Sequence, residues 1–281
     1  MNRGYLWLVL IIFSAKGLVF TNKNSIFALQ NAFKARKLLE KMNSWEKLSF
    51  DGVEDKGVII KAVYLYIFAY LGVLAAIVGM LFFYPKPELH MLLNSHHSSL
   101  MDSFFKYFSY LAEGPLYVLI LLPLLWKKTK MTVLFAVSEL TGGTILQIMK
   151  HIISKDRPVT VFENHQDLVL PLVEGVDMHH GNSFPSGHAS TFFVFCTCIA
   201  IIQAYYYCRK RPHTLTTQVV FNIAMLLLLA FAVIGAFSRV YLSQHFLLDI
   251  CVGSIIGFTT PFIIFYLFKD KQLSFKKRVK K

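Results

Sequence analysis

The sequence predicts an all-α integral membrane protein, built as a bundle of six transmembrane helices. The 281-residue chain has a mean hydropathy of +0.52, with 55% hydrophobic and only 16% charged residues, whereas an average soluble domain has about 25% charged residues. Six mostly apolar stretches reach the length of about 20 residues that a helix needs to cross a bilayer. The net charge of +13 comes from short clusters between these stretches. It therefore indicates topology signals and contacts with anionic headgroups, and no nucleic acid is expected as a partner.

The predicted spans divide the chain into three parts. In chain order the spans are Ile59–Tyr84, Phe104–Trp126, Met131–Lys150, His188–Cys208, Gln218–Phe237 and Phe246–Phe268. They form one domain, 59–268, which follows an N-terminal segment, 1–58, and precedes a basic cytoplasmic tail, 269–281. We find no internal repeat that would divide the domain further.

The basic clusters predict the orientation of the bundle. Three segments rich in Lys and Arg alternate with the spans: 127–130, 209–211 and 269–281. Because cytoplasmic loops collect Lys and Arg, these segments are expected inside. The other three connections then face the opposite side: 85–103, 151–187 and 238–245. All six spans agree with one orientation.

The N-terminal segment allows more than one interpretation. Tyr5–Phe20 is apolar but short and follows Arg3, so it resembles a signal-like segment or an interfacial anchor. As a seventh span it would break the alternation of basic loops. Ile26–Met42 has the pattern of an amphipathic helix on the inner membrane surface. A solvated linker is an equal alternative for that stretch.

Three clusters of polar residues lie on the predicted non-cytoplasmic side, each at the end of a span. In chain order they read Lys150-x6-Arg157-Pro158, Pro185-Ser186-Gly187-His188, and Ser238-Arg239-x5-His245-x3-Asp249. Taken alone, each has an ordinary structural explanation: membrane-snorkelling cations, a turn that starts a helix, and a polar pair on one helix face. Together they predict a single active site at the non-cytoplasmic interface.

The cations in these clusters suit a phosphate group. Lys150, Arg157 and Arg239 have few acidic neighbours in sequence, and guanidinium groups match phosphate oxygens with paired hydrogen bonds. Ser186 offers a hydroxyl and an amide, and Gly187 lies at a helix N-terminus, where free amides and the helix dipole favour anions. No metal and no cofactor are required, because the three cations take the place of a metal in stabilising phosphoryl transfer.

The remaining polar residues suit acid–base and nucleophilic chemistry. If His245 and Asp249 lie on one helix, four residues apart, the carboxylate can orient the imidazole for attack on phosphorus. His245 would then form a phosphohistidine. His188 is the candidate that protonates the leaving oxygen and later activates water.

With K-x6-R-P, P-S-G-H and S-R-x5-H-x3-D all present, the chain resembles the type 2 phosphatidic acid phosphatase superfamily over roughly Ile59–Phe268. The resemblance implies a six-helix membrane lipid phosphatase. It also implies the same roles for His245, Asp249 and His188, and for the five phosphate-binding residues Lys150, Arg157, Ser186, Gly187 and Arg239.

Substrate and acceptor stay open at this point. A phosphorylated membrane lipid is expected, and short loops favour a bacterial inner-membrane enzyme that faces the periplasm and acts on lipid A or undecaprenyl diphosphate. A lipid phosphotransferase with the same intermediate is one alternative, and a transporter or channel with intramembrane charges is another. A metal site built from the loop histidines lacks regular ligand spacing. Nothing in the sequence predicts an oligomeric state.

Overall fold

The computed structural model describes residues 56–114, 130–164, 168–209 and 214–267. These residues form helices joined by turns and loops, with no β-strand among them. The α-helices are α1 (Lys56–Ala62), α2 (Tyr64–Phe83), α3 (Lys86–Leu93), α4 (Ser99–Tyr110), α5 (Lys130–Ile152), α6 (Pro158–Glu163), α7 (Gly187–Arg209), α8 (Leu215–Tyr241) and α9 (Leu247–Leu267). Five of them, α2, α5, α7, α8 and α9, are long and apolar enough to cross a membrane. The protein is therefore an all-α, multi-pass integral membrane protein.

Five predicted spans correspond to these five helices, with ends that differ by a few residues. The second predicted span, Phe104–Trp126, does not begin as a continuous helix. Instead α4 ends at Tyr110, a 3-10 turn covers Leu111–Glu113, and Gly114 has a φ of +149° that favours glycine. Its remainder, 115–126, lies outside the described residues. So do the predicted segments Tyr5–Phe20 and Ile26–Met42 and the whole of the basic tail, 269–281.

Helix α7 is the centre of the bundle and packs against α5, α8 and α9. Its closest approach is to α9, where Gly253 and Gly257 face it one turn apart. A Cβ atom on Gly253 would overlap the backbone oxygen of Ser186, and one on Gly257 would overlap that of Ser190. Two glycines at this spacing allow the backbones of two membrane helices to touch.

Four helix ends meet on one side of the bundle: the C-terminal ends of α5 and α8 and the N-terminal ends of α7 and α9. Two hydrogen bonds connect these ends. Ser186 N donates to Asp249 O (3.0 Å), and Arg157 Nη1 donates to Gln244 O (3.1 Å). The three polar clusters lie at these ends, so the fold brings them together.

Candidate active site

The turn after α8 explains the five-residue spacing between Arg239 and His245. The amides of Gln244 and His245 both donate to Arg239 O, at 2.9 and 3.1 Å. Ser243 adopts a left-handed φ of +52°, which closes the turn. As a result His245 folds back beside Arg239 immediately before α9 begins.

His245 and Asp249 are close, although they do not share a helix. Helix α9 begins at Leu247, so His245 precedes it. Asp249 lies in the first turn, where its Oδ2 accepts a hydrogen bond from Phe246 N at 2.9 Å, as acidic residues at helix starts commonly do. The distance from His245 Nδ1 to Asp249 Oδ2 is 3.6 Å, longer than a hydrogen bond.

Ser183 fills the gap between these two side chains. Its hydroxyl donates to Asp249 Oδ2 at 2.5 Å and lies 3.4 Å from His245 Nδ1. All three side chains are buried. The carboxylate therefore acts on the imidazole partly through a serine hydroxyl, which fixes the orientation of both groups.

Burial lowers the pKa of His245 well below its ordinary value. Asp249 opposes this shift, while Arg157 and Arg239 reinforce it because two nearby cations disfavour a third. His245 is therefore a neutral imidazole near neutral pH. In that form one ring nitrogen carries a lone pair and can act as a nucleophile.

Two of the three predicted cations, Arg157 and Arg239, interact electrostatically with this imidazole. Arg157 and Arg239 are 8% and 7% exposed, and both lie within electrostatic range of Lys150. Arg157 Nε donates to Gly181 O at 2.9 Å, and its Nη1 donates to Gln244 Oε1 at 3.1 Å. Burial lowers the pKa of Arg157 to about 10, so it stays protonated at neutral pH.

Arg239 is the cation that lacks a hydrogen-bond acceptor for one of its nitrogens among the described residues. Its Nε is buried and has no hydrogen-bond partner among the described residues. A buried guanidinium nitrogen without an acceptor is costly. An anion placed beside it would remove that cost.

The N-terminus of α7 presents the Pro-Ser-Gly-His cluster, with one correction. The amide of Ser186, expected to bind phosphate, donates to Asp249 O, and its hydroxyl accepts from Ala189 N at 3.4 Å as a helix cap. The backbone amide of Ser186 is thus already hydrogen-bonded within the protein and is not free to bind phosphate. A Cβ atom on Gly187 would meet nothing within 4 Å, so open space adjoins this residue.

His188 lies in the first turn of α7, half-buried. Its Nε2 is 3.3 Å from Glu113 Oε1, on the 3-10 turn that follows α4. This contact pairs Glu113 with the predicted acid–base residue.

Helix α3 supports the turn that carries His245. His90 Nε2 lies 3.3 Å from Ser243 Oγ, and Asn94 Nδ2 donates to Val240 O at 2.9 Å. Burial lowers the pKa of His90 to about 4, so it is neutral. No group of three or more His, Cys, Asp or Glu side chains placed to hold a metal occurs in the part of the chain that the structure describes.

Three residues that contact the site were not among the predicted site residues. Ser183 and Gln244 lie beside motif residues in sequence, and only that proximity could have indicated them. Glu113 lies 75 residues from His188, and its carboxylate within the second predicted span was its one signal.

Comparison with known proteins gives a family match. The model of the PAP2 superfamily matches residues 131–273, just over half of the chain. Among solved structures, Aquifex aeolicus LpxE is 24% identical with a TM-score of 0.48, covering 66% of this chain and 96% of that one. The transmembrane PAP2-type phosphatidylglycerolphosphate phosphatase of Bacillus subtilis is 18% identical with a TM-score of 0.49, covering 76% and 98%. No curated protein matches the chain.

Proposed function

Because the chain belongs to the PAP2 superfamily and is a membrane-embedded phosphoric ester hydrolase, we propose that it removes phosphate from a membrane lipid through a phosphohistidine at His245. The observation that carries this proposal is the buried Arg239, whose Nε has no partner in the described part of the chain. A phosphate oxygen would supply the missing acceptor. The neutral imidazole of His245 lies within the same electrostatic cluster.

The first step forms the bond between His245 and phosphorus. His245 Nε2, the ring nitrogen away from Asp249 and Ser183, attacks the phosphorus atom opposite the lipid oxygen. The phosphorus–oxygen bond breaks, and His188 gives its proton to the departing lipid oxygen. Lys150, Arg157 and Arg239 stabilise the charge on the other phosphate oxygens.

The second step returns the enzyme to its starting state. His188, now neutral, takes a proton from a water molecule, and the water oxygen attacks phosphorus. The nitrogen–phosphorus bond breaks and inorganic phosphate leaves. His188 thereby recovers the one proton that it gave in the first step, so the enzyme ends with the same protons with which it began.

The position of the site supports a lipid substrate. All contributing residues lie at or just beyond the ends of four apolar helices, so a phosphate can enter while its tail stays in the bilayer. The basic clusters of the sequence favour a position of this end outside the cytoplasm. The proposed substrate is accordingly an envelope lipid with a phosphomonoester or diphosphate, such as lipid A or undecaprenyl diphosphate, in a bacterial inner membrane.

The test is phosphate release by the detergent-purified protein in the presence of a chelator, over a panel of phosphorylated lipids. We expect one lipid class to react, orthovanadate to inhibit, and His245→Ala to lose essentially all activity. His96→Ala is the matched control, since this exposed histidine bonds its neighbour Ser95 outside the site. Rapid quenching with a radiolabelled lipid should trap an acid-labile phosphoprotein that His245→Ala does not form.

Two outcomes would contradict the proposal. Full activity in His245→Ala would show that His245 is not the nucleophile. Activity lost in chelator and restored by a divalent ion would show that the three cations do not replace a metal. If phosphate passes to a hydroxyl acceptor in preference to water, the intermediate stands and the reaction is a phosphotransfer.

A further inference from the structure

We propose that Glu113 is a positioning residue that orients His188 and favours its protonated form, so that His188 can act as the general acid. This inference rests on the proposed function. Its geometric basis is the 3.3 Å contact between Glu113 Oε1 and His188 Nε2. That distance is at the long end of a hydrogen bond and within ion-pair range.

The backbone around Glu113 is built to hold it there. The 3-10 turn Leu111–Glu113 packs against α7, and Ala112 within it is buried. Gly114 follows with its φ of +149° and ends the turn. Glu113 is thus the last residue of a short rigid element beside the first turn of α7.

Charge explains why His188 needs such a partner. A general acid must be protonated when substrate binds, yet cations disfavour a protonated imidazole. Arg239 of α8 interacts electrostatically with Glu113, and it belongs to one cluster of cations with Arg157 and with Lys150 of α5. A carboxylate at contact distance opposes this effect and favours the protonated imidazole.

Other groups around the pair have different partners. Asp249 of α9 accepts from Ser183 and from Phe246 N. Glu139 of α5 accepts from Thr191, one turn along α7 from His188. Tyr110 precedes the 3-10 turn and, like Glu113, interacts electrostatically with Arg239. Among the carboxylates of the described residues, Glu113 is the one at contact distance from the His188 ring.

The exposure of the pair fits this role. The side chain of Glu113 is 51% exposed and that of His188 is 25% exposed, whereas His245 is buried. His188 is therefore more accessible than the nucleophile, as a group that must meet both the leaving lipid oxygen and the incoming water should be.

The experiment compares Glu113→Gln with the parent on the lipid that reacts in the panel test, as kcat/KM against pH. Glutamine keeps a hydrogen-bonding group but removes the charge. Because a nearby carboxylate shifts a pKa by about one unit or more, we expect about a tenfold fall in kcat/KM on the alkaline side. The alkaline limb should move to lower pH, since His188 would lose its proton earlier. Glu113→Ala, which removes both charge and orientation, should lose about a hundredfold.

A matched control is Glu163→Gln. Glu163 also lies near a histidine, His180 Nε2, at 3.6 Å, but that pair is 58–62% exposed at the surface. Its pH profile should not change. Thermal melting in detergent should confirm that each variant is folded.

The outcomes separate this inference from the proposed function. If the parent releases no phosphate from any lipid, the proposed function fails. If the parent is active and Glu113→Gln keeps both its rate and its alkaline limb, only the inference fails. A loss of rate with an unmoved alkaline limb would also overturn it, because Glu113 would then be merely structural.

Discussion

Helices α7 and α2 both have the length and composition to cross the bilayer, yet they occupy opposite surroundings. In the most apolar part of each helix, 67% of the residues of α7 are buried within the protein, against 11% for α2. Nevertheless α2 is the more apolar of the two. Since lipid tails are as apolar as leucine, apolar side chains do not decide which membrane helix lies inside.

Close backbone packing and polar contacts decide instead which membrane helix lies inside the bundle. Helix α7 has α9 against its backbone through Gly253 and Gly257, and it carries His188 in its first turn. Helix α2 presents large apolar side chains such as Phe82 and Phe83 outward, and a Cβ on its Gly72 or Gly79 would meet nothing within 4 Å. The site thus lies where two backbones are most tightly constrained.

The largest expected effect comes from adding one methyl group at that contact. Gly253→Ala places a Cβ against the backbone oxygen of Ser186, so α7 and α9 must separate and the Pro-Ser-Gly-His turn must move. A shift of about 1 Å in a catalytic group can cost about a hundredfold in rate. We expect kcat/KM for phosphate release to fall by at least that factor.

Gly79→Ala in α2 is the matched control. It adds the same methyl group to a membrane helix where there is open space, and its rate should match that of the parent. Equal rates for both variants would mean that the close contact between α7 and α9 does not position the site.

The next effect tests the polar part of the same contact. Ser183→Ala removes the hydroxyl between Asp249 and His245. A hydrogen bond to a charged group contributes about 1.5–3 kcal/mol, so kcat should fall about tenfold to a hundredfold. Ser254→Ala, which removes a buried hydroxyl of α9 bonded to Tyr70, should leave kcat nearly unchanged. A full rate in Ser183→Ala would show that Asp249 orients His245 without the serine.

These contacts mark the limit of sequence reasoning. Lys150, Arg157, His188 and Arg239 were predicted to meet because charged residues at the ends of apolar stretches must lie at a membrane boundary. The positions of Ser183 and Glu113 depend on tertiary packing, which the local periodicity of apolar residues in the sequence does not reveal.

The start of α9 is a second feature that the sequence pattern did not define. The spacing of His245 and Asp249 suited a helix, but periodicity does not show that α9 begins at Leu247. The glycine spacing Gly253-x3-Gly257 was a readable signal for close packing that the sequence interpretation did not use.

A smaller effect is expected at the contact between α4 and α8, which hydrogen bonds stabilise. Tyr241 donates to Asp102 Oδ1 at 2.5 Å, and His97 Nδ1 lies 2.8 Å from the same oxygen. Burial alone would raise the pKa of Asp102, but these hydrogen bonds outweigh it and hold the pKa below its ordinary value. A depressed pKa stabilises the fold above the pKa of the unfolded chain, about 3.9, and this contribution is lost as the pH falls below it.

Asp102→Asn should therefore lower Tm by about 2 °C at pH 7, because the carboxylate is partly exposed and each kcal/mol corresponds to about 2–4 °C at this size. The difference from the parent should shrink as the pH falls through the lowered pKa of Asp102. Glu88→Gln, at an exposed position in the first turn of α3, should change neither value. A difference that persists at low pH would mean that the charge of Asp102 does not matter.

The smallest effect tests how α2 is attached to the bundle. Its two buried tyrosines reach inward, with Tyr66 OH 3.1 Å from Thr197 Oγ1 of α7 and Tyr70 OH 3.1 Å from Ser254 Oγ of α9. Hydrogen bonds between membrane helices average about 0.6 kcal/mol. Tyr70→Phe keeps the ring stacked on Phe258 at 3.9 Å, so it should lower the free energy of unfolding by about that amount and leave kcat/KM unchanged. If Tyr70→Phe reduces the rate as strongly as Ser183→Ala does, α2 is part of the catalytic framework, and burial does not separate the helices that build the site from those that face lipid.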